Sequence, residues 1–313
     1  METESKSRPY ISLVIPAYNE EKNIPLLYEK LKKVLDALKK DYEIIFIDDG
    51  SKDSTVNEII KLNKKDRKVR LIQFQRNFGK AAALSAGFSE ASGDIVFTMD
   101  ADLQDDPEEI PNFINKINQG YDMVSGWKIR RKDPISKTIP SKFFNWLTSL
   151  TTGVKVHDSN CGFKAYKKEV VKNINIYGEL HRYIPAIAYW KGYKIGEVKV
   201  VHHARKFGKS KYGVERLMKG FFDLITVKFL TRYAKRPLHL FGFLGVLCFL
   251  VGFITGIYLV AGWFNGIGIG NRPLLMLCVL FIVTGIQLIS IGLLGEMINS
   301  SSRKDDYVVK KKY

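Results

Sequence analysis

The chain has 313 residues, 46% of them hydrophobic, enough for one large or two modest domains with a packed core. Its three cysteines, Cys161, Cys248 and Cys278, form no CxxC pair and the last two lie in long apolar runs, so neither disulfides nor a zinc site is expected. Lys and Arg number 49 against 32 Asp and Glu, a formal charge of +17, which suits an anionic partner such as nucleic acid, a phosphorylated ligand or a membrane surface.

The opening "METESKSRPY" is polar and lacks the apolar stretch of a signal peptide, so the amino-terminal part is expected in the cytoplasm. From residue 10 to about 127, short β-branched or aromatic runs alternate with amphipathic helical stretches. "YISLVI" is followed by a helix over about 23–39, "YEIIFI" by a helix after Ser54, "VRLIQF" by a helix from Lys80, and "DIVFTM" by a helix from Pro107 and then "YDMVSG". Such alternation predicts an α/β domain with a mostly parallel sheet covered on both faces. In open sheets of this kind ligands gather beyond the carboxyl ends of the strands. Three of those ends are rich in acids and amides: "PAYNEE" at 16–21, "DDGSKDST" at 48–55 and "DADLQDD" at 100–106.

The last of these belongs to an acidic block, "TMDADLQDDPEE" at 98–109. Asp106, Pro107 and Glu109 have the spacing of a helix start, with an N-cap acid, proline at the first position and an acid at the third. Asp105, Asp106, Glu108 and Glu109 are therefore assigned to that start. Asp100 and Asp102 flank Ala101 at the expected last strand position, where residues two apart point the same way. Two carboxylates on one side of a cleft repel unless a cation sits between them, and hard oxygen donors indicate Mg²⁺ or Mn²⁺.

Further along, the charge changes sign: "KIRRKD" at 128–133, Lys137, Lys142, "HR" at 181–182 and "RKFGKSKYG" at 205–213. The stretch "VERLMKGFFDLITVKFLTRYAKR" mixes Leu217, Phe221, Leu224, Ile225 and Lys228 at helical spacing, as an amphipathic helix lying on a membrane surface would. Two apolar runs follow, about 238–264 and 273–295, each longer than the roughly 20 residues that span a bilayer. Lys228, Arg232, Lys235 and Arg236 precede the first; Arg303, Lys304 and "KKK" at 310–312 follow the second, and the connector "NGIGIGN" adds only Arg272. The positive-inside rule then places both ends in the cytoplasm, with Trp263 and Phe264 as anchors at the far interface. The connector's glycines lack the strand and helix of a dinucleotide fingerprint. Cations clustered beside the membrane argue against nucleic-acid binding. The expected organisation is a cytoplasmic α/β domain over 1–212, a juxtamembrane helix over 213–237, a two-helix membrane hairpin over 238–298 and a basic tail over 299–313.

Over roughly residues 10–215 these motifs resemble the inverting glycosyltransferases of the GT-A fold, family 2 type, which use nucleotide-diphosphate sugars. The resemblance implies that Pro16, Ala17, Tyr18 and Glu20 form the first nucleotide-binding turn and that Asp48 contacts the base, while Ser51, Asp53 and Ser54 shape the turn and cap the next helix. It brings Gly79 and Lys80 of "RNFGKAAALSAG" close to the nucleotide, and makes Asp100, Ala101 and Asp102 the DxD motif that holds metal and diphosphate, with Gln104 joining the metal. "RKFGKSKYG" resembles the Arg-x-x-Gly-x-Ser-Lys signature of the polyprenyl-phosphate branch, and "DSNCGFKAY" at 158–166 its acceptor-side loop. Arg205, Ser210 and Lys211, assisted by Arg130 and Arg131, are then expected to hold the acceptor phosphate, with Asp102, Arg205 and Lys211 central to catalysis; His181 and Arg182 are secondary candidates.

The expectation is a metal-dependent inverting transfer of a sugar from a UDP- or GDP-sugar to undecaprenyl or dolichyl phosphate at the cytoplasmic face of the cell membrane, with homo-oligomerisation left open. A phosphomonoester acceptor is already ionised near neutral pH, so cations suffice and no general base is needed. A polysaccharide synthase would need the ED and QxxRW motifs, which are missing, and two spans give little channel. A non-catalytic module that senses nucleotide sugars would have less use for Asp100, Asp102 and Gln104.

Overall fold

The computed structural model describes residues 8–128, 153–154, 156–178, 180–203, 226, 229, 233, 236–270 and 273–301. Two compact units divide the chain, Met1–Val227 and Lys228–Tyr313. The first begins β1 (Ile11–Ala17), α1 (Ile24–Ala37), β2 (Tyr42–Asp48), α2 (Thr55–Lys65), β3 (Val69–Gln73), α3 (Lys80–Glu90) and β4 (Ile95–Thr98). A 3₁₀ turn, Pro107–Glu109, runs into α4 (Ile110–Asn118), followed by β5 (Met123–Lys128), β6 (Lys164–Lys167) and α5 (Lys168–Asn173). A second 3₁₀ turn, Leu180–Tyr183, then leads to α6 (Ile184–Trp190) and β7 (Ile195–Val200).

Among the described residues, seven strands form one sheet in the order β3-β2-β1-β4-β6-β5-β7. β1 pairs in parallel with β2 and β4, β2 with β3, and β5 with β7. β6 runs antiparallel to both its neighbours, β4 and β5. The sheet is thus mostly parallel, as the alternation predicts, but with a reversed strand near its middle. That strand takes up Lys164, Ala165 and Tyr166, which the sequence reading places in a loop.

β1 and β2 are buried almost throughout, as strands covered on both faces must be. α1 turns Ile24, Leu27, Tyr28, Leu31 and Leu35 inward, a stripe at helical spacing. Gly87 lets α3 lie close on the sheet, because a Cβ there would run into Val14 Cγ1. Under α4, Phe97, Phe113 and Phe163 meet as an aromatic cluster, with Phe113 and Phe163 centroids 4.5 Å apart; full burial of each such side chain contributes about 1.5–3 kcal/mol.

At the end of the sheet away from the acidic loops, Glu43 is buried and accepts hydrogen bonds from Ser12 Oγ at 2.6 Å, Ser92 N at 2.9 Å and Ser92 Oγ at 2.6 Å. Arg70 bridges it to Glu90, donating to Glu43 Oε2 at 2.9 Å and Glu90 Oε2 at 2.5 Å. Burial alone would raise the Glu43 carboxyl; the serine hydrogen bonds and Arg70 hold it below the usual range.

The second unit contains α7 (Pro237–Phe264) and α8 (Pro273–Ser301), both long and apolar enough to cross a membrane. Glycines set their packing. A Cβ on Gly245 would fall 2.7 Å from Gly285 O, one on Gly252 would meet Ile282 and Cys278 O, and one on Gly292 or Gly295 would meet Leu238 or Pro237. Partner numbers fall on α8 as they rise on α7, so the helices form an antiparallel hairpin. Outside the seam the large side chains are exposed, including Phe243, Ile254, Leu280 and Leu294, a surface suited to lipid rather than water.

Candidate active site

The carboxyl ends of the parallel strands gather most of the acids and amides singled out above. Pro16 lies in β1 beyond the stretch paired with β4, so its missing N–H interrupts no ladder there. Its neighbour Ala17 is in register with Asp48 and accepts Asp49 N at 2.9 Å. The loops after β1 and β2 are stitched together reciprocally. Asn19 N donates to Ser51 Oγ at 2.9 Å and Lys52 N to Asn19 Oδ1 at 2.8 Å; Glu20 N donates to Thr55 Oγ1 at 2.8 Å and Ser54 N to Glu21 Oε2 at 3.0 Å. Asn19 holds a left-handed φ of 57° to do this, a conformation Asn tolerates better than most residues. The Glu20 carboxylate accepts from Asn23 Nδ2 at the head of α1. Ser51 and Asp53 shape this turn as expected, but Ser54 makes no side-chain cap; the Asp53 carboxylate takes Thr55 N and Oγ1 instead.

Asp48 is fully buried, its carboxylate accepting Ser51 N at 3.2 Å. Asp49 reaches the next loop, accepting Phe78 N at 2.7 Å and Gly79 N at 3.0 Å. Gly79, at a φ of 92°, opens α3, and a Cβ there would point into open space. The next residue, Lys80, forms an ion pair with Asp100. The Gly79–Lys80 segment and the DxD segment are thereby brought together.

β4 ends at Thr98, so Asp100 and Asp102 lie in the turn beyond it rather than at the last strand position, and the strand-based argument for their common direction does not apply. Their environments differ. The Asp100 side chain is 34% exposed and is backed by Gly162, where a Cβ would fall 2.5 Å from Asp100 Oδ2. Burial raises its carboxyl, but Lys80, aided by Lys128 and Lys164, brings it down to about 2. Asp102 is buried and accepts Gln104 N at 3.2 Å across Leu103, whose φ is 60°.

Asp106 caps the Pro107–Glu109 turn as expected, accepting Glu108 N at 3.1 Å, and also pairs with His203 Nε2 at 2.9 Å. Asp105 departs from the helix-start reading. It is buried in a one-residue antiparallel bridge with His202, 3.6 Å from Lys128, and burial pushes its carboxyl upward. The bridge is reinforced by His203 N donating to Gln104 O at 2.9 Å and by Gln104 Nε2 donating to His203 O at 3.4 Å. The end of β7, which leads into "RKFGKSKYG", is therefore fastened to the loop that carries Asp100, Asp102 and Gln104.

Lys164 and Lys128 form the other side of this cluster. Lys164, in β6, is buried with its ammonium donating to Cys161 O, and burial lowers its pKa. His181, a secondary candidate in the sequence, is brought to the same place: its pKa is pushed down to about 2 by burial and by Lys80. The sequence gives some sign of Lys164, an ionisable residue among the apolar Phe163, Ala165 and Tyr166, but none of its proximity to Asp100. Arg130, Arg131, Arg205, Ser210 and Lys211, together with most of the expected juxtamembrane helix, lie outside the described residues.

Among the described residues no three His, Cys, Asp or Glu side chains converge as a closed metal site. The donor set nonetheless fits an open one: two carboxylates and an amide oxygen, from Asp100, Asp102 and Gln104, suit a hard cation whose other ligands are phosphate and water.

Comparison with known proteins bears on the family and the fold. The family model described as "Glycosyl transferase family 2" matches residues 12–174. The dodecaprenyl-phosphate galacturonate synthase of Rhizobium johnstonii is 38% identical, over 96% of this chain and 92% of its own. An undecaprenyl-phosphate 4-deoxy-4-formamido-L-arabinose transferase of Pseudomonas paraeruginosa is 35% identical, over 92% and 86%. Among solved structures, the glucosyl-3-phosphoglycerate synthase of Mycobacterium tuberculosis, in complex with Mn²⁺, uridine diphosphate and phosphoglyceric acid, superposes with a TM-score of 0.56 at 19% identity, covering 72% of this chain and 78% of that one. It supports the GT-A fold alone. On the family match and the near full-length relatives, the chain belongs to glycosyl transferase family 2.

Proposed function

We propose that this protein transfers a sugar from a nucleotide-diphosphate sugar to a polyprenyl phosphate, with inversion at the anomeric carbon. The observation that carries this reading is the joining of two segments at the sheet's carboxyl rim. The loop bearing Asp100 and Asp102 is bridged through Asp105 to His202, three residues before the basic "RKFGKSKYG" segment begins at Arg205. The two relatives, matched across nearly the whole chain and named for prenyl-phosphate acceptors, support it.

In the transfer, a phosphate oxygen of the lipid attacks the anomeric carbon from the face opposite the nucleotide. The new C–O bond forms as the bond to the diphosphate breaks, and the bonding pair leaves on the diphosphate. The attacking oxygen carries no proton to remove, since a phosphomonoester ionises with a second pKa of about 6. Asp48 and the Pro16–Glu20 turn hold the nucleoside, and Gly79 and Lys80 approach its phosphates. Arg205, Ser210 and Lys211, with Arg130 and Arg131, hold the lipid phosphate in line, where positioning supplies much of the rate. Mg²⁺ or Mn²⁺ on Asp100, Asp102 and Gln104 would neutralise charge on the departing diphosphate. Lys80, already paired with Asp100, adds a second positive group at that position. The basic residues flanking both spans support a cytoplasmic catalytic domain.

A radiolabelled transfer assay over a panel of UDP- and GDP-sugars with undecaprenyl phosphate tests this reading. Label should move to the organic phase for at least one donor and depend on the lipid's phosphate. Release of label into water at the same rate with or without the lipid would reject it.

A further inference from the structure

Beside the Lys80–Asp100 pair lies a small, partly open cavity lined by Lys80, Thr98, Asn160, Lys164, Tyr166 and His181, among others. Its volume of about 10 Å³ admits one water-sized group and no more. Two buried polar atoms belong to this lining. His181 Nδ1 is shielded from solvent and has no hydrogen-bond partner among the described residues. Tyr166 Oη is likewise buried, with the Thr98 hydroxyl as its polar neighbour. The Thr98 hydroxyl itself donates to Gly162 O at 2.9 Å.

A buried nitrogen without a partner is costly, so such a group normally has one when the protein is at work. The low pKa of His181, set first by burial and then by Lys80, keeps the ring neutral. A neutral imidazole offers one donor and one acceptor, which matches a hydroxyl. Gly162 links this cavity to the donor end of the site, because its backbone lies against the Asp100 carboxylate while the residue lines the same cavity.

We propose that this cavity seats one hydroxyl of the donor sugar, held by a hydrogen bond with His181 Nδ1, and that His181 thereby helps decide which sugar is accepted. The inference rests on the nucleotide-sugar reading above and deepens it. A site built to pair a hydroxyl discriminates strongly against a sugar lacking it, since the protein group is then left unpaired. A water permanently bound for structural reasons is the competing occupant.

Calorimetric titration of the full-length protein in detergent separates these occupants. The probes are UDP-glucose, UDP-galacturonate and GDP-mannose, each against free UDP or GDP. His181→Phe fills the cavity, and His181→Asn returns an amide near the position of Nδ1. The expected result is about a tenfold weaker Kd for the preferred nucleotide sugar in His181→Phe, unchanged binding of the free nucleoside diphosphate, and recovery to within about threefold in His181→Asn. Equal weakening of both ligands, no change in either, or no recovery in His181→Asn would overturn the proposal in favour of a structural water. Wild-type protein that binds the nucleoside diphosphates but none of the nucleotide sugars would overturn the donor reading itself, and this assignment with it. The two failures are therefore distinguishable.

Discussion

Asp49 accepts the backbone N–H groups of Phe78 and Gly79, 29 and 30 residues further along, and so fixes the turn from which Lys80 extends to Asp100. Asp49→Asn retains one acceptor oxygen but puts an NH₂ where the other stood, facing a donor. Loss of a charged hydrogen bond of this kind costs about 1.5–3 kcal/mol. The expected outcome is at least a tenfold weaker Kd for nucleoside diphosphate, with far-UV circular dichroism unchanged. A variant with wild-type affinity would show that the Asp49–Gly79 link does not position the site.

Two glycines near the site should respond differently to alanine. At Gly79 a Cβ meets nothing, but φ is 92° and ψ 162°, a conformation essentially confined to glycine, so Gly79→Ala carries a conformational cost of about 1–3 kcal/mol, read as a lower melting temperature. At Gly162 φ is not in the left-handed region, but the added methyl would fall 2.5 Å from Asp100 Oδ2. Gly162→Ala should therefore displace Asp100, lowering turnover by about 100-fold or more while largely preserving the melting temperature. Turnover and melting temperature measured together on both variants check the contrast.

The Glu43 cluster gives the catalytic unit a defined acid response. Its folded-state pKa is lowered, so its stabilisation is fully present above the ordinary carboxylate pKa and is lost as pH falls through the folded value. Glu43→Gln should lower the melting temperature by several degrees at pH 7 and by less near pH 3, so that the wild-type and variant curves converge on acidification. Melting curves that stay parallel across this range would remove Glu43 as their cause.

Donor and acceptor groups should separate in steady-state kinetics. Asp102→Asn is expected to abolish turnover even in saturating Mg²⁺ or Mn²⁺, and chelation of wild-type protein should do the same reversibly. Lys211→Ala should raise KM for the lipid phosphate about tenfold or more and leave nucleotide binding intact. Full activity of Asp102→Asn, or loss of nucleotide binding in Lys211→Ala, would contradict the assignments of Asp102 and Lys211.

The sequence is most legible where a local pattern has one physical meaning. The apolar runs of β1 and β2, the stripe on α1, the Asp106 cap and the two spans all follow from spacing and burial over a few residues. It is least legible where meaning depends on distant partners. β6 has only four residues, and its reversed direction is set by its neighbours β4 and β5. Asp105 has the composition of a helix start, yet is drawn into the interior by His202, 97 residues away. Lys80 and Asp100 each stand out alone, but only the packing of α3 against the sheet brings them into contact.

The contact between Gly245 and Gly285, each with the other's carbonyl 2.7 Å from where a Cβ would sit, also bears on the fate of the product. With backbone against backbone at this crossing, the interior of the hairpin has no lumen through which a polar sugar could pass. A sugar attached to the lipid at one surface of the bilayer would stay at that surface as far as this hairpin is concerned. Purified protein in sealed vesicles should accumulate labelled lipid in the leaflet where it is made, and label appearing in the opposite leaflet would contradict this.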